Sequence, residues 1–377
     1  MANPLRDIQQ YGQSIWYDNI RRGLITSGEL QSLVDNDGLM GVTSNPAIFE
    51  KAITGSTDYD AAIHALAREP HLDAKTLYER LAVDDIQMAS DVMAPVYERT
   101  NKRDGYISLE VSPDLAHDTA GTVEEARRLW NTVDRRNVMI KVPATPAGVP
   151  AIRQLISEGI NINVTLLFHM AMYEAVAEAY IAGLETFVAN GGDPSRVASV
   201  ASFFISRIDS AIDGAIAARL KTAQRPEERM LLRSLQGKVA IANARLTYQR
   251  YKALCSGARW QALATQGAET QRLLWASTST KNPAYRDVLY VEELIGPDTV
   301  NTVPTATFEA FRAHGQVRAS LEESLDEAHD VLATLAYVGI SLQEITEALL
   351  QDGVKLFVDP FATLLQAVAK KTAAAAH

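Results

Sequence analysis

The sequence predicts an α/β protein: a single (β/α)8 TIM barrel spanning residues 1–377, with extra helices at its N- and C-terminal ends. Three observations lead there. Eight strand-like runs (14–18, 39–44, 106–111, 138–143, 161–167, 198–205, 272–277 and 299–303) alternate with helical stretches, the order that builds a parallel sheet. No G-x-G-x-x-G follows the first strand, so nothing marks a doubly wound sheet. No repeat or low-complexity linker divides the 377 residues, a length that one barrel domain with added helices can reach.

The helices are punctuated by recognisable starts. Thr26 with Glu29, and Thr122 with Glu125, have the spacing of a capping box. Asn45-Pro46 reads as an N-cap followed by the first helical position, where proline's missing N–H costs nothing. Long amphipathic runs cover 73–98, 169–190 and 226–254, and further helices are expected at 324–338 and 341–372. Residues 373–377 are expected to be a frayed tail.

Composition narrows the function classes. Hydrophobic residues make up 47% and charged residues 22%, enough for a large core and too apolar for a disordered chain. The net charge of −10 with no dense Lys/Arg run argues against nucleic acid as a partner. Phosphate can still be held by a few placed cations and helix N-termini. Cys255 is the single cysteine, so no intrachain disulfide and no cysteine metal centre can form, and the seven histidines show no H-x-x-x-H or H-E-x-x-H pair. No metal and no cofactor are therefore expected. The N-terminus lacks an apolar leader and no run is long enough to span a bilayer, which predicts a cytoplasmic protein without a membrane partner.

Side chains alternate faces along a strand. In 106–112, Tyr106, Ser108, Glu110 and Ser112 oppose Ile107, Leu109 and Val111. In 138–143, Met139 and Lys141 oppose Val138, Ile140 and Val142. In 161–166, Asn161, Asn163 and Thr165 oppose Ile162, Val164 and Leu166. In 200–206, Ser202, Phe204 and Ser206 oppose Ala201, Phe203 and Ile205. The branched faces suit the outer helices, so the polar faces point into the barrel. A barrel interior is ordinarily apolar, and active sites sit at the C-terminal strand ends. Polar groups converging there are the mark of an enzyme.

Lys141 is central. A lysine desolvated inside a barrel loses part of its proton affinity and becomes a nucleophile able to form an imine with a ketone. Alone, it reads as a core lysine paired with a carboxylate. With Glu110, Asn163 and Thr165 on the same interior face, it reads as the nucleophile. Glu110 is placed to shuttle protons through a water held by Thr165; the plainer reading is a Lys–Glu ion pair. Asp18 ends the first strand, either as a base for a sugar hydroxyl or as an N-cap. Asn45 holds a substrate hydroxyl, caps the helix at Pro46, or does both with different atoms. Arg207, just past the sixth strand, suits a phosphate monoester, the alternative being an ion pair with Asp209 or Asp213. Ser277, Ser279 and Lys281 in the loop after the seventh strand offer hydroxyls and one more cation.

Read together, G-V-T-S-N-P-A-I-F (41–49), I-S-L-E-V-S-P (107–113), M-I-K-V-P-A-T (139–145), G-I-N-I-N-V-T-L-L-F (159–168) and S-F-F-I-S-R-I-D (202–209) resemble the transaldolase family, from about residue 14 to at least 340. The stretch R-L-L-W-A-S-T-S-T-K-N-P (272–283) is similar to its longer bacterial branch. The resemblance implies a pentose phosphate pathway transferase. It would move a dihydroxyacetone unit from sedoheptulose 7-phosphate or fructose 6-phosphate to glyceraldehyde 3-phosphate or erythrose 4-phosphate, acting as a monomer or homodimer. It places the Schiff base on Lys141, the acid/base on Glu110, the water-holding threonine on Thr165 and the proton-accepting aspartate on Asp18. Substrate contacts fall on Asn45, Asn163, Ser202 and Phe204, and the phosphate on Arg207. One departure stands out. Many members carry a second phosphate arginine after the seventh strand, whereas 277–282 holds none, so Lys281 with Ser277 or Ser279 is expected in its place. Two rivals remain. One is a fructose 6-phosphate aldolase, though its relatives are shorter and tend to carry glutamine and tyrosine where Glu110 and Phe204 stand. The other is a non-catalytic sugar-phosphate-binding barrel.

Overall fold

The computed structural model describes residues 3–69 and 72–375. Eight parallel strands close into a barrel in sequence order: β1 Gln13–Tyr17, β2 Gly41–Val42, β3 Tyr106–Glu110, β4 Val138–Pro143, β5 Ile162–Leu167, β6 Ser199–Phe204, β7 Arg272–Ala276 and β8 Thr299–Val303. Pairing of β8 with β1, from Gln13 opposite Thr299 to Tyr17 opposite Val303, completes the ring. Each predicted strand is present. The largest shortfall is β2, expected over 39–44 and reduced to two residues. Its Gly41 faces the indole of Trp16, and a Cβ there would lie 2.5 Å from the ring, so glycine is what lets a tryptophan fill the barrel beside this strand.

The faces divide as alternation requires. Ile107, Leu109, Val138, Ile140, Val142, Ile162 and Val164 are buried under the surrounding helices. Toward the N-terminal ends of the strands the interior is closed by a polar cluster. Asp104 accepts from Ser14 Oγ at 2.7 Å, Trp16 Nε1 at 3.0 Å and Arg272 Nη2 at 3.0 Å. Both members of that ion pair are buried, and their extra hydrogen bonds offset the loss of hydration. The C-terminal ends are left open.

Most helices match expectation, including Ala74–Arg99, Met170–Ala189, Leu325–Tyr337 and Leu342–Ala375. Three expectations are corrected. Thr26 ends one helix rather than starting the next; Glu29 follows an N-cap at Gly28, whose φ of +82° suits glycine. Thr122 lies inside the helix Thr119–Val133, which is capped by Asp118 through Gly121 N–H, while Glu125 turns away to Lys75 and Ser112 N–H. The run 226–254 is two helices, Pro226–Ser234 and Val239–Cys255, separated by a turn at Gly237 with φ of +69°. The expected tail from 373 is helical through Ala375, and residues 376 and 377 lie outside the described residues.

The helix Ser206–Thr222, which begins at the C-terminal end of β6, is anchored from below. Asp209 Oδ1 accepts from Ala240 N–H at 2.8 Å and Oδ2 from Tyr290 at 2.9 Å. Burial outweighs these donors and lifts its carboxyl from the usual 3.8 to about 6. A raised acid pKa favours the folded state below the unfolded value and loses that contribution as pH climbs through the folded one. Asp209→Asn, neutral throughout, should therefore gain stability relative to the parent between pH 4 and 7, by on the order of 3 kcal/mol. Urea unfolding across that range measures it; a difference that does not change with pH contradicts it.

Candidate active site

The register of the central strands brings the predicted residues together. Glu110 on β3 pairs with Lys141 on β4, and Lys141 with Asn163 on β5, so parity alone sets three polar side chains in a row inside the barrel. Lys141 is 5% exposed. Its Nζ donates to the Ser44 carbonyl at 2.9 Å and stands 3.7 Å from Glu110 Oε2. At that separation the carboxylate supplies charge but no short hydrogen bond, so the simple ion pair describes only part of the contact.

Glu110 is held above its ordinary pKa by burial, with Lys141 pulling the other way and Asp18 adding to the rise. Its Oε2 and the Oγ1 of Thr165 are both buried without a hydrogen-bond partner among the described residues. A buried polar atom left unpaired costs stability, and two of them near one amine form a polar seat for a small ligand or water. Thr165 pairs in register with Pro143 of β4, and irregular backbone follows it. The β5–β6 register slips between Val164 and Leu167, and Leu166 has φ of +63°, in the left-handed region. The Leu166 side chain packs on Gly353 of the last helix, where a Cβ would come within 2.9 Å of Cδ2.

Asp18 follows β1 and is not an N-cap. The next helix is Arg22–Thr26 with Arg21 at its cap position, while Asp18 Oδ1 accepts from Thr43 Oγ1 at 2.7 Å. Burial raises its pKa, opposed by Lys141, the Thr43 hydrogen bond and Arg207. Asn45 does cap its helix: Oδ1 accepts from Ile48 N–H at 3.0 Å, and among the described residues its Nδ2 donates to no protein group. Asn163 is more committed. It donates to Ser108 Oγ at 3.0 Å and accepts from Ser202 Oγ at 2.7 Å, leaving one N–H and one lone pair for anything else.

At the other side of the opening, Arg207 is the second residue of the helix Ser206–Thr222. Its guanidinium lies over the Phe204 ring, 5.1 Å from the centroid, and its Nη1 is buried with no hydrogen-bond partner among the described residues. Asp209 and Asp213 do not pair with it: the first binds Tyr290 and Ala240, the second Tyr285 at 2.6 Å. Burial holds the Arg207 pKa below its ordinary value. Lys281 donates to Ser279 Oγ at 2.7 Å, and its amine is lowered by partial burial and then by the Arg207 charge. Two cations that depress rather than neutralise each other are a seat for an anion. Ser277 adjoins them with φ of +54° and its Oγ 3.0 Å from Ser206 Oγ.

One cavity of about 650 Å³ is lined by Asp18, Asn45, Lys141, Thr165, Ser202, Phe204, Arg207, Ser277, Ser279 and Lys281. Glu110 and Asn163 are not among the residues that line it. Among the wall residues not singled out in the sequence are Thr43, Thr302, Lys51 and Phe357. Thr43 and Thr302, whose hydroxyls lie 2.6 Å apart, sit beside Asp18; Thr43 belongs to the motif 41–49 but carries no chemistry by type. Lys51 lies two turns into the helix capped by Asn45. Phe357 comes from the last helix, with its ring centroid 5.8 Å from Lys141 Nζ, and a phenylalanine in an amphipathic helix gives no signal of such a position.

Nearly the whole chain is similar to known proteins. The family model for transaldolase/fructose-6-phosphate aldolase matches residues 15–368. The chain is 51% identical over 374 residues to a protein named Transaldolase 2 from Nostoc sp., covering 98% of this chain and 97% of that one. It is 46% identical over 363 residues to a transaldolase from Thiobacillus denitrificans, covering 96% and 99%. With a transaldolase from Neisseria gonorrhoeae it shares 46% over 361 residues, covering 96% and 98%. The chain therefore belongs to the transaldolase/fructose-6-phosphate aldolase family.

Proposed function

We propose that the protein is a transaldolase of the pentose phosphate pathway, acting in the cytoplasm on phosphorylated sugars. The observation that carries this reading is Lys141, buried in the barrel with its amine facing the cavity and a raised-pKa carboxyl 3.7 Å away. The neutral amine attacks the C2 carbonyl of fructose 6-phosphate or sedoheptulose 7-phosphate. Glu110, working through a water held by Thr165 Oγ1, gives the proton that lets the carbinol oxygen leave as water. Asp18 then takes the C4 hydroxyl proton as the C3–C4 bond breaks, and its electron pair passes into the protonated imine. The aldose phosphate departs, leaving an enamine of dihydroxyacetone on Lys141. Attack of that enamine on the aldehyde carbon of erythrose 4-phosphate or glyceraldehyde 3-phosphate runs the same steps in reverse. Asn45 Nδ2 and Ser202 hold substrate hydroxyls, and Arg207 with Lys281, Ser277 and Ser279 holds the phosphate.

Transfer is favoured over simple aldol cleavage by the acid at position 110 and the hydrocarbon ring of Phe204 on the cavity wall. With fructose 6-phosphate and erythrose 4-phosphate, the purified protein should form sedoheptulose 7-phosphate and glyceraldehyde 3-phosphate, and release little dihydroxyacetone when the acceptor is omitted. Release that is equally fast without acceptor would instead make it an aldolase, and no turnover would make it a binding protein. Removing one charge-assisted phosphate contact costs about 1.5–3 kcal/mol, so Arg207→Met should raise KM for fructose 6-phosphate roughly 10- to 100-fold. Lys281→Met should move KM in the same direction by less, because its amine is more exposed. A KM unchanged in both variants places the phosphate elsewhere.

A further inference from the structure

The helix Leu342–Ala375 packs against Pro46–Gly55, Ala74–Arg99, Ser206–Thr222 and β5, so it reaches elements on several sides of the open end of the barrel. Its attachment does not depend on Phe357. Leu364 and Val368 are fully buried, Phe361 packs edge-on against Tyr78 with centroids 5.7 Å apart, and Lys371 donates to Asp60 Oδ1 at 2.9 Å and Ser56 O at 3.2 Å. Gly353 meets Leu166 at the β5 bulge. Phe357, one turn before Phe361, is buried yet pairs with no aromatic ring among the described residues. It lines the catalytic cavity and presents its ring to Lys141 Nζ at 5.8 Å.

We infer that Phe357 is a specificity-determining residue that shields the lysine-bound enamine from water and so commits it to transfer. The inference rests on the Schiff-base reading above. After C3–C4 cleavage the enamine has two fates. Its C3 electron pair attacks the acceptor aldehyde, forming the new C–C bond, while the aldehyde oxygen takes a proton from Asp18. Alternatively C3 takes a proton from water, hydroxide adds to the iminium carbon, and dihydroxyacetone leaves Lys141 as the free amine. The second path needs water at two steps beside Nζ, for the proton and for the hydroxide, one molecule being consumed in net. An aromatic ring there removes places where water can hydrogen-bond, and its face also stabilises the cationic iminium. Phe204 lines the cavity from β6; Phe357 is an apolar wall from a different element, supplied by the segment that follows the barrel.

The test compares the full-length parent with Phe357→Leu and Phe357→Gln. Two rates are measured with fructose 6-phosphate: dihydroxyacetone release without acceptor, and sedoheptulose 7-phosphate formation with erythrose 4-phosphate. The release-to-transfer ratio should rise roughly tenfold or more for the polar Gln and stay within about threefold of the parent for the apolar Leu. A general loss of structure lowers both rates without splitting the two variants. Phe357→Ser provides a second polar side chain should Gln fold poorly, and it should shift the ratio in the same direction. A ratio unchanged in the polar variants, or raised equally by Leu, overturns the shielding role while leaving the transaldolase reading intact. A parent enzyme that neither transfers nor releases overturns the reading on which the inference rests.

Discussion

A lysine taken into a protein interior loses hydration worth on the order of several kcal/mol, and the fold must return it through charges and dipoles or let the amine lose its proton. Two groups offset part of that loss for Lys141. The Ser44 carbonyl accepts one of its hydrogens, and Glu110 contributes charge from a distance longer than a hydrogen bond. Glu110 and Asp18 are in turn lifted above their ordinary pKa by the same burial. The amine and two carboxyl groups of raised pKa therefore share one partly dehydrated space, which suits acid/base chemistry around an imine. The closed barrel makes this possible: strand register sets Glu110, Lys141 and Asn163 side by side, and no loop movement is needed to assemble them.

The ends of the barrel carry different burdens. The N-terminal end is sealed by Trp16 and the Asp104–Arg272 pair, linked by hydrogen bonds among Ser14, Trp16, Asp104 and Arg272. At the C-terminal end, Glu110 Oε2, Thr165 Oγ1 and Arg207 Nη1 have no hydrogen-bond partner among the described residues, and Leu166 keeps a left-handed backbone. Other buried atoms without partners are scattered through the fold, Gln13 Oε1 and Gln271 Oε1 among them, but these three stand where chemistry is expected. Arg207 illustrates how the cost is met. Its guanidinium rests on the Phe204 ring, while Asp209 two residues later spends both oxygens anchoring the helix and so leaves the arginine free for an anion.

Much of this was legible in the sequence because alternation in a strand is a strict rule. The inward row of Glu110, Lys141, Asn163 and Thr165 follows from parity, and the Asn45-Pro46 cap from local chemistry; both are present as expected. Local rules failed where long-range packing decides. The spacing of Thr122 and Glu125 imitates a capping box, yet Glu125 is drawn to Lys75 on another helix. The break at Gly237 lies inside a run whose apolar spacing is continuous. Phe357 could not be found at all, because only the path of the last helix across the structure brings it to Lys141. The phosphate grip is intermediate: Arg207 follows from its place after β6, whereas the pairing of Lys281 with Ser279 needed coordinates.

The central claim is that Lys141 is the nucleophile. Borohydride reduction of the protein in the presence of fructose 6-phosphate, followed by peptide mass mapping, tests it most directly. The account predicts one dihydroxyacetone-derived adduct, on the peptide containing Lys141, and none in Lys141→Met. No adduct on the parent, or an adduct on another lysine that persists in the variant, would contradict it.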